Sequence, residues 1–576
     1  MKFNEIDFGV QSSLDGIFSS FARGEEIKKK FAGFDIAPSS WQSLAVLLKK
    51  LDRDKLNVLL ESFLSDVVFA DVPPGGGSTE ILLKRAVISL LLGAEPERIL
   101  FLVSLGSQID SAREKMLTLA PGAREQIGKV SFFTTSSFLQ KVLTARVGDE
   151  SVLVHLGMTD DFKYSSQWMD ILGDARNTVN RGIPFWMILR RKFSGESSFI
   201  PEKLRSPVEE IFRTYEVSLE EHKIFDRIAT SKMVKRFHLN APDVFKEKFS
   251  KYDCVLIDDG QKYDSGEWEI LRLFSAEGRM FVCGDFSVSH YKPSEIRLDG
   301  GQEFSTFTLN KTFRHSPVIA EALSNFSDRQ VSAGSSVKDI GFVSYEAEDE
   351  TDELNFISFE IKHLISQGIA PPKIGVIYKN LEFPGIFRQT ASTFELSVLD
   401  YPGTGVIVPF IPRVVKILQD SETVDTMSVL EKNLSPDEFR RTRSWFELRM
   451  KKFGPYVTGT DRNRRLVENL KGIGAREEDS VKLVVEHFAE SYQFDVVFIP
   501  SFDGWNFPES LRGTADAIIS RASKGVFLTR PLKRAPKFKW QKPFLTSPSP
   551  LIRFFPVETV KGSGSGWLKK ILSKIF

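Results

Sequence analysis

The stretch Asp71-Val72-Pro73-Pro74-Gly75-Gly76-Gly77-Ser78-Thr79-Glu80, followed by Ile81-Leu82-Leu83-Lys84-Arg85-Ala86, decides how the chain is read. An apolar run, Val67-Val68-Phe69-Ala70, enters it, a Gly/Pro turn bends the backbone, and strong helix formers leave it. The local order is therefore strand, loop, helix, the layout of a phosphate-binding loop. Such a loop points successive backbone N–H groups and a helix N-terminus at phosphate, and a lysine then reaches the outer phosphates. Laid on the frame G-x-x-x-x-G-K-[ST], Val72 stands at the first glycine, Gly77 at the second, Ser78 at the lysine and Thr79 at the hydroxyl that meets Mg²⁺. Pro74, Gly75, Gly77, Ser78 and Thr79 are the candidate nucleotide-binding residues of this loop. The cradle is kept while its point charge is missing.

A chain of 576 residues is expected to hold more than one domain. Hydrophobic residues at 41% and charged residues at 27% describe an ordinary soluble protein. Lys+Arg 77 against Asp+Glu 76 leave a net charge of +1, so nucleic-acid binding must come from local patches rather than a global field. The two cysteines, Cys254 and Cys283, sit in apolar strand-like runs and read as small buried thiols in a reducing compartment. The first residues show no leader pattern and no long apolar run occurs, so a cytoplasmic location is expected.

Residues 1–60 read as a helical preface, from apolar spacing through Trp41-Gln42-Ser43-Leu44-Ala45-Val46-Leu47-Leu48. A first α/β block is expected over 61–300, with strand runs at Arg98-Ile99-Leu100-Phe101-Leu102-Val103, Tyr252-Asp253-Cys254-Val255-Leu256-Ile257-Asp258-Asp259 and Met280-Phe281-Val282-Cys283-Gly284-Asp285, and a strand and turn over 130–138. Residues 145–245 lose this rhythm and read as an inserted helical subdomain. A second α/β block is expected over 301–560, with strands at 374–378, 481–485 and 494–499 and a basic insertion at about 400–475. The acidic patch Glu346, Glu348, Asp349, Glu350, Asp352 and Glu353 reads as a solvated turn before a helix. Strands alternating with helices predict parallel sheets covered on both faces, with ligands at the carboxyl ends of the strands. Asp258, Asp259 and Asp285 end such strands and are expected to face the same crevice as the loop.

The order loop, Asp258-Asp259-x-Gln261, Gly284-Asp285, Asn310-x-x-Phe313-Arg314, His487-x-Ala489 and Arg521-Ala522 resembles the UvrD/Rep-like superfamily 1 DNA helicases, over roughly residues 65–530. The resemblance implies two RecA-like parallel-sheet lobes of the P-loop NTPase type. It assigns Asp258 and Thr79 to Mg²⁺, Gln261 to coupling between nucleotide and nucleic acid, and Arg314 and Arg521 to phosphate contact; Asp285 joins the nucleotide-binding residues. Asp259 stands where the family has the glutamate that orients water, and a carboxylate set back by about 1 Å loses on the order of 100-fold. Val288 replaces the family's phosphate-sensing glutamine, and Glu490, Ser491 and Gln493 replace a lysine, glycine and glutamate. A lost loop lysine removes a contact worth about 1.5–3 kcal/mol. Lys84 lies roughly 9 Å along the following helix, at ~1.5 Å per residue, and is expected to point away from the loop.

The resemblance also implies single-stranded or junction DNA across both lobes, with Phe138, Tyr291 and His487 at matching positions; the two rings are read equally as core. Trp445, among the basic residues of 440–471, and Trp540, within the basic run 530–542, fit stacking beside phosphate contacts. A linker, Gly562-Ser563-Gly564-Ser565-Gly566, leads to an amphipathic segment, Trp567 to Phe576, within the tail 561–576. Ten residues are too few to fold alone, so a protein partner's groove, the protein's own body or an anionic membrane surface must cover them. The linker equally fits an engineered join.

The expectation is a catalytically degenerate helicase-like protein that binds nucleic acid or a protein partner without efficient ATP hydrolysis, in the setting of DNA repair or anti-phage defence. Mg-ATP is the only cofactor the pattern suggests, and none is the other outcome. The alternatives are a weakly active ATP-dependent DNA helicase and a non-enzymatic adaptor that hooks its partner through the C-terminal helix.

Overall fold

The computed structural model describes residues 5–104, 107–147, 154–156, 162–184, 188, 200–221, 224–263, 265–288, 304–327, 329–334, 336–379, 383–401, 411–419, 426–434, 466–467, 479–486, 489, 492–534, 544–556 and 558–561. The chain begins with four helices, α1 Phe8–Phe18, α2 Gly24–Ala32, α3 Pro38–Lys49 and α4 Arg53–Glu61. Asp7 caps α1 by accepting the N–H groups of Gly9 and Val10, Pro38 opens α3, and Asp52 caps α4 by accepting the Lys55 N–H. Leu14, Phe18, Phe31, Trp41, Leu44 and Leu48 are buried in one cluster with Ile81, Leu82 and Val68. The preface therefore shares a core with the first sheet.

The first sheet uses β1 Val67–Asp71, β2 Ile99–Val103 and β3 Ser131–Thr134. Between β3 and its later strands, β4 Val154–Leu156 pairs in parallel with β5 Ile224–Asp226, and helices Phe162–Val179 and Glu202–Glu221 enclose a small core around Leu172, Ile211 and Tyr215. The sheet resumes with β6 Cys254–Ile257, β7 Met280–Gly284 and β8 Phe304–Thr308. Its six strands run in the order β3-β2-β6-β7-β1-β8, all parallel. Alternation along β1 sends Val68 and Ala70 toward the preface and Val67 and Phe69 toward Trp268 and Phe286. Because β8 pairs with β1, a boundary at residue 300 falls before a strand that belongs to the first sheet.

A short parallel pair, β9 Lys311–Thr312 and β10 Ser332–Ala333, follows. The second sheet is built from β11 Gly341–Asp349, β12 Ile374–Tyr378, β13 Val398–Tyr401, β14 Val481–Val485, β15 Phe494–Ile499, β16 Ala522–Arg534 and β18 Glu558–Lys561, with β17 Phe544–Leu545 antiparallel to β16. Its order is β13-β14-β12-β15-β16-β11-β18, and neighbouring strands along this order are parallel. Apolar clusters cover both faces: Ile377, Val484 and Val497 on one, Val376, Leu483 and Phe498 on the other. The molecule is a mixed α/β protein of two parallel sheets, and among the described residues no helix is long and apolar enough to cross a membrane.

In the acidic patch Glu348 and Asp349 are exposed and the helix start carries the expected acids, but two residues depart from the solvated reading. Asp349 caps the helix Glu350–Ser366, but Glu346 is paired with Arg530, and Glu353 is 2% exposed, accepting the Ser501 N–H at 2.7 Å and the Thr529 hydroxyl at 2.7 Å. Arg530 and Arg534, read from the sequence as part of a phosphate-binding run, are ion-paired inside the fold with Glu346 and Asp503. Tertiary pairing across β11 and β16 brings these groups together, and composition cannot report it.

Candidate functional site

The loop leaves β1 and opens the helix α5, Ser78–Leu91. Gly75 has φ +72° and Gly77, which caps α5, has φ +97°, left-handed conformations that glycine adopts without strain. The Val72 N–H bonds to the Gly284 carbonyl and the Gly76 N–H to the Pro73 carbonyl, which sets the bend. The first intrahelical bond of α5 is Ile81 N–H to Gly77, so the N–H groups of Ser78, Thr79 and Glu80 stand at the mouth without an acceptor in the preceding turn. Because β6, β7 and β1 are adjacent, Asp258, Asp285 and the loop share one carboxyl edge.

Thr79 donates its hydroxyl to Asp258. Burial, and then the charge of Asp259, push the Asp258 carboxyl above its ordinary range. A buried acid crowded by a second acid, with a hydroxyl converging on it, fits a divalent cation. Among the described residues no group of three or more His, Cys, Asp or Glu side chains gathers, so Mg²⁺ here would depend on Asp258, Thr79 and the phosphates of a bound ligand.

Asp259 has φ +56°, strained for a residue with a Cβ. Its Oδ2 accepts from Ser104 at 2.6 Å and Gln108 at 3.3 Å, with the Lys262 ammonium at 3.5 Å. Burial opposes its charge, but Lys262, Ser104, Gln108 and Arg521 outweigh burial and hold the carboxyl below its usual range. Lys262, which stands where the resembled family has an acid, thus serves Asp259. Gln261 accepts the Asp285 N–H at 3.1 Å through Oε1. Asp285 accepts the Ser287 hydroxyl at 2.5 Å and one guanidinium N–H of Arg329 at 3.1 Å, and burial raises its carboxyl despite Arg329.

The segment after β8 lies against the loop. Thr312 donates its hydroxyl to the Pro74 carbonyl at 2.9 Å, and the Phe313 N–H donates to the Gly75 carbonyl at 3.0 Å. A Cβ on Gly75 would stand 2.5 Å from the Arg314 Cβ. Burial, and then the nearby Arg521, lower the Arg314 guanidinium to about 10, while Asp259 works the other way. Loop, Asp258, Asp259, Arg314 and Arg521 therefore meet in one cleft between the two sheets. His315 is fully buried; its Nδ1 donates to the Ala522 carbonyl at 2.7 Å, and burial, Arg314 and Arg521 lower it to about 3.

Two lysines also bear on this cleft, Lys84, expected to point away, and Lys55, which the sequence does not single out. Lys84 does not point away: its ammonium turns back one helical turn to Glu80, 2.9 Å away, and stops there. Lys55 of α4, 5% exposed, brings its ammonium 3.2 Å from the other Glu80 oxygen and 4.0 Å above the Phe313 ring, and it would lie 2.6 Å from a Cβ on Gly77. No spacing rule connects Lys55 with the loop; only the packing of α4 does.

The proposed DNA contacts fare differently. Phe138 is 3% exposed, and its ring meets Phe274 edge-on with centroids 4.7 Å apart, so it is a core ring rather than a stacking platform. Tyr291, Trp445, His487 and Trp540 lie outside the described residues, as does the segment 562–576. Trp505, which sequence reading missed, is 87% exposed just beyond the carboxyl end of β15.

The fold and the cleft thus define a two-sheet α/β protein with a glycine loop against which both halves of the chain converge. No model of a known protein family matches the chain. It is 21% identical over 355 residues to the protein of Bacillus subtilis (strain 168) named "Putative ATP-dependent DNA helicase YjcD". That alignment takes in 57% of this chain and 46% of the relative, so the chain spans about half of the relative's length. A crystal structure of the C-terminal domain of a possible DNA helicase from Lactobacillus plantarum WCFS1 aligns with 43% of this chain and 98% of its own at 13% identity and a TM-score of 0.22, a level of likeness that carries no argument.

Proposed function

We propose that this chain is a helicase-like protein that binds nucleic acid and does not hydrolyse ATP efficiently, its two lobes being of the RecA-like type. Similarity to a relative named as a DNA helicase supports the helicase-like class. The observation that carries the loss of efficiency is at the loop: Ser78 holds the lysine position, so the loop itself supplies no ammonium group to a phosphate. Asp259 adds to this, because Ser104, Gln108 and Lys262 hold its Oδ2 in place of an attacking water. Chemistry that depends on positioned charge loses steeply when several such groups depart together. With Mg-ATP bound, Thr79 and Asp258 would hold the cation, which would neutralise phosphate charge, and the α5 N-terminus would present its N–H groups to the phosphates.

A second reading, a weakly active ATP-dependent DNA helicase, is favoured by the crowding of Arg314 and Arg521 beside Asp259, since two guanidinium groups in one cleft suit a developing phosphoryl charge. Assembly with a protein partner through residues 561–576 is a further part of the proposal, and it rests on the amphipathic sequence there.

Binding to single-stranded DNA as a function of salt, together with MgATP turnover with and without that DNA, tests the reading. Salt-sensitive DNA binding with negligible turnover is expected. Turnover on the order of 1–10³ per second, ordinary for an enzyme, overturns the loss of hydrolysis, and absence of DNA binding overturns the nucleic-acid assignment.

A further inference from the structure

The ammonium of Lys55 stands against the turn of the loop, on the side where Gly77 lacks a Cβ. Among the described residues its near acids are the partly exposed Glu80, at 3.2 Å, and Asp52, at 3.8 Å. Glu80 is already met at 2.9 Å by Lys84, whose side chain is more deeply buried than that of Lys55. Glu80 is shared between two ammonium groups and can release Lys55 while Lys84 keeps it paired, at the mouth of a loop whose N–H groups also point outward. The Phe313 ring holds the Lys55 ammonium from the other side without cancelling its charge. These features converge on space suited to an anion.

We propose that Lys55, carried by the preface helix α4, is the phosphate-contacting cation of this cleft, standing in for the lysine that Ser78 replaces. The ligand class is a polyphosphate anion, either free pyrophosphate or the phosphate end of a nucleoside triphosphate. On binding, Lys55 exchanges the Glu80 carboxylate for a phosphate oxygen, and Lys84 stays with Glu80 and keeps its charge compensated. The inference rests on reading the loop as a phosphate site, and it is independent of whether the protein binds DNA.

Calorimetric titration of the full chain with inorganic pyrophosphate and, separately, with MgATP tests it. Lys55→Met is expected to weaken whichever ligand binds by at least about tenfold, the scale of one lost charge-assisted contact. Lys55→Arg, which keeps the charge, largely restores binding, and Lys84→Met leaves affinity within the range of the native chain. Glu80→Gln, which frees Lys55 from its internal counter-ion, tightens binding. Thermal unfolding of each variant separates lost binding from lost folding. Unchanged affinity in a folded Lys55→Met makes Lys55 a structural ion-pair partner and overturns the proposal; tighter binding makes it a plug and overturns it as well. If the native chain takes neither ligand the inference fails, while salt-sensitive DNA binding by the same preparation leaves the proposed function standing. Pyrophosphate binding without ATP binding, lost in Lys55→Met, supports it with the free anion as the ligand.

Discussion

The guanidinium of Arg329 lies 2.7 Å from the carboxylate of Asp71, the last residue of β1. Its other terminal nitrogen meets Asp285 beyond β7, and Asp516, on the helix Arg512–Ile519, is pushed above the usual carboxylate range by burial and by Asp285. One arginine therefore holds two acids of the first sheet, Asp71 partly buried and Asp285 buried, beside a third acid contributed by the second.

Removing that arginine strands buried charge. Arg329→Met is expected to cost about 3–5 kcal/mol, read from denaturant unfolding. Asp516→Asn imitates the protonated acid and is expected to cost less than about 1 kcal/mol at pH 7. Equal costs for the two variants would mean that Asp516 is ionised and shares the arginine.

Gly75 has no room for a side chain. Gly75→Ala places a Cβ 2.5 Å from the Arg314 Cβ and 2.8 Å from the Thr312 hydroxyl, at φ +72°. The expected result is a loss of about 1–3 kcal/mol of stability together with weakened polyphosphate binding. A variant as stable as the native chain would show that the 311–315 segment lifts off the loop freely.

Trp505, which the sequence does not single out, is the exposed ring, and Phe138, read equally as stacking platform and as core, is buried. Trp505→Ala is expected to weaken single-stranded DNA binding by about 1–3 kcal/mol with no change in unfolding temperature. Phe138→Ala is expected to cost about 3–5 kcal/mol of stability through its cavity. If Trp505→Ala leaves DNA affinity untouched in an anisotropy titration, the exposed ring has no part in binding.

Glu360 sets a pH dependence. It is 2% exposed, its Oε1 has no hydrogen-bond partner, and burial raises its carboxyl to about 7. A raised carboxyl keeps its proton in the folded state, so its contribution is fully present below the unfolded value near 4.5 and is lost as pH climbs through about 7. Glu360→Gln is therefore expected to raise stability at pH 8 by about 2–3 kcal/mol and to change little at pH 4. A gain of the same size at both pH values would assign the effect to packing instead.

Several strands could be read from sequence because they are short apolar runs, two of them leading into a carboxylate, Cys254–Ile257 before Asp258 and Met280–Gly284 before Asp285, whereas β8, β11, β13 and β16 carry no such local signature. The loop was legible for the same local reason: glycines at the turn and a hydroxyl at the helix start. What could not be read is what arrives from elsewhere in the chain. Lys55 reaches the loop because α4 packs on α5 through a shared core, Arg329 crosses to Asp71, and Glu346 and Glu353 are buried by β16. A charge count along the sequence assigns all of these to the surface. Phe138 illustrates the converse: a motif position names a role, and the ring packs in the core because β3 leads directly into its helix.

Asp54 of α4 lies 3.8 Å from Lys311 of β9, so the opening helices touch the segment that covers the loop as well as the loop itself. Trimming the protein at the start of β1, the obvious place to cut by sheet boundaries, would strip the cleft of an ammonium group and of one wall. The smallest piece of this chain able to report on its ligand therefore begins inside the helical preface, and a modular dissection that discards those helices would find an apparently inert loop for a reason that has nothing to do with the intact molecule.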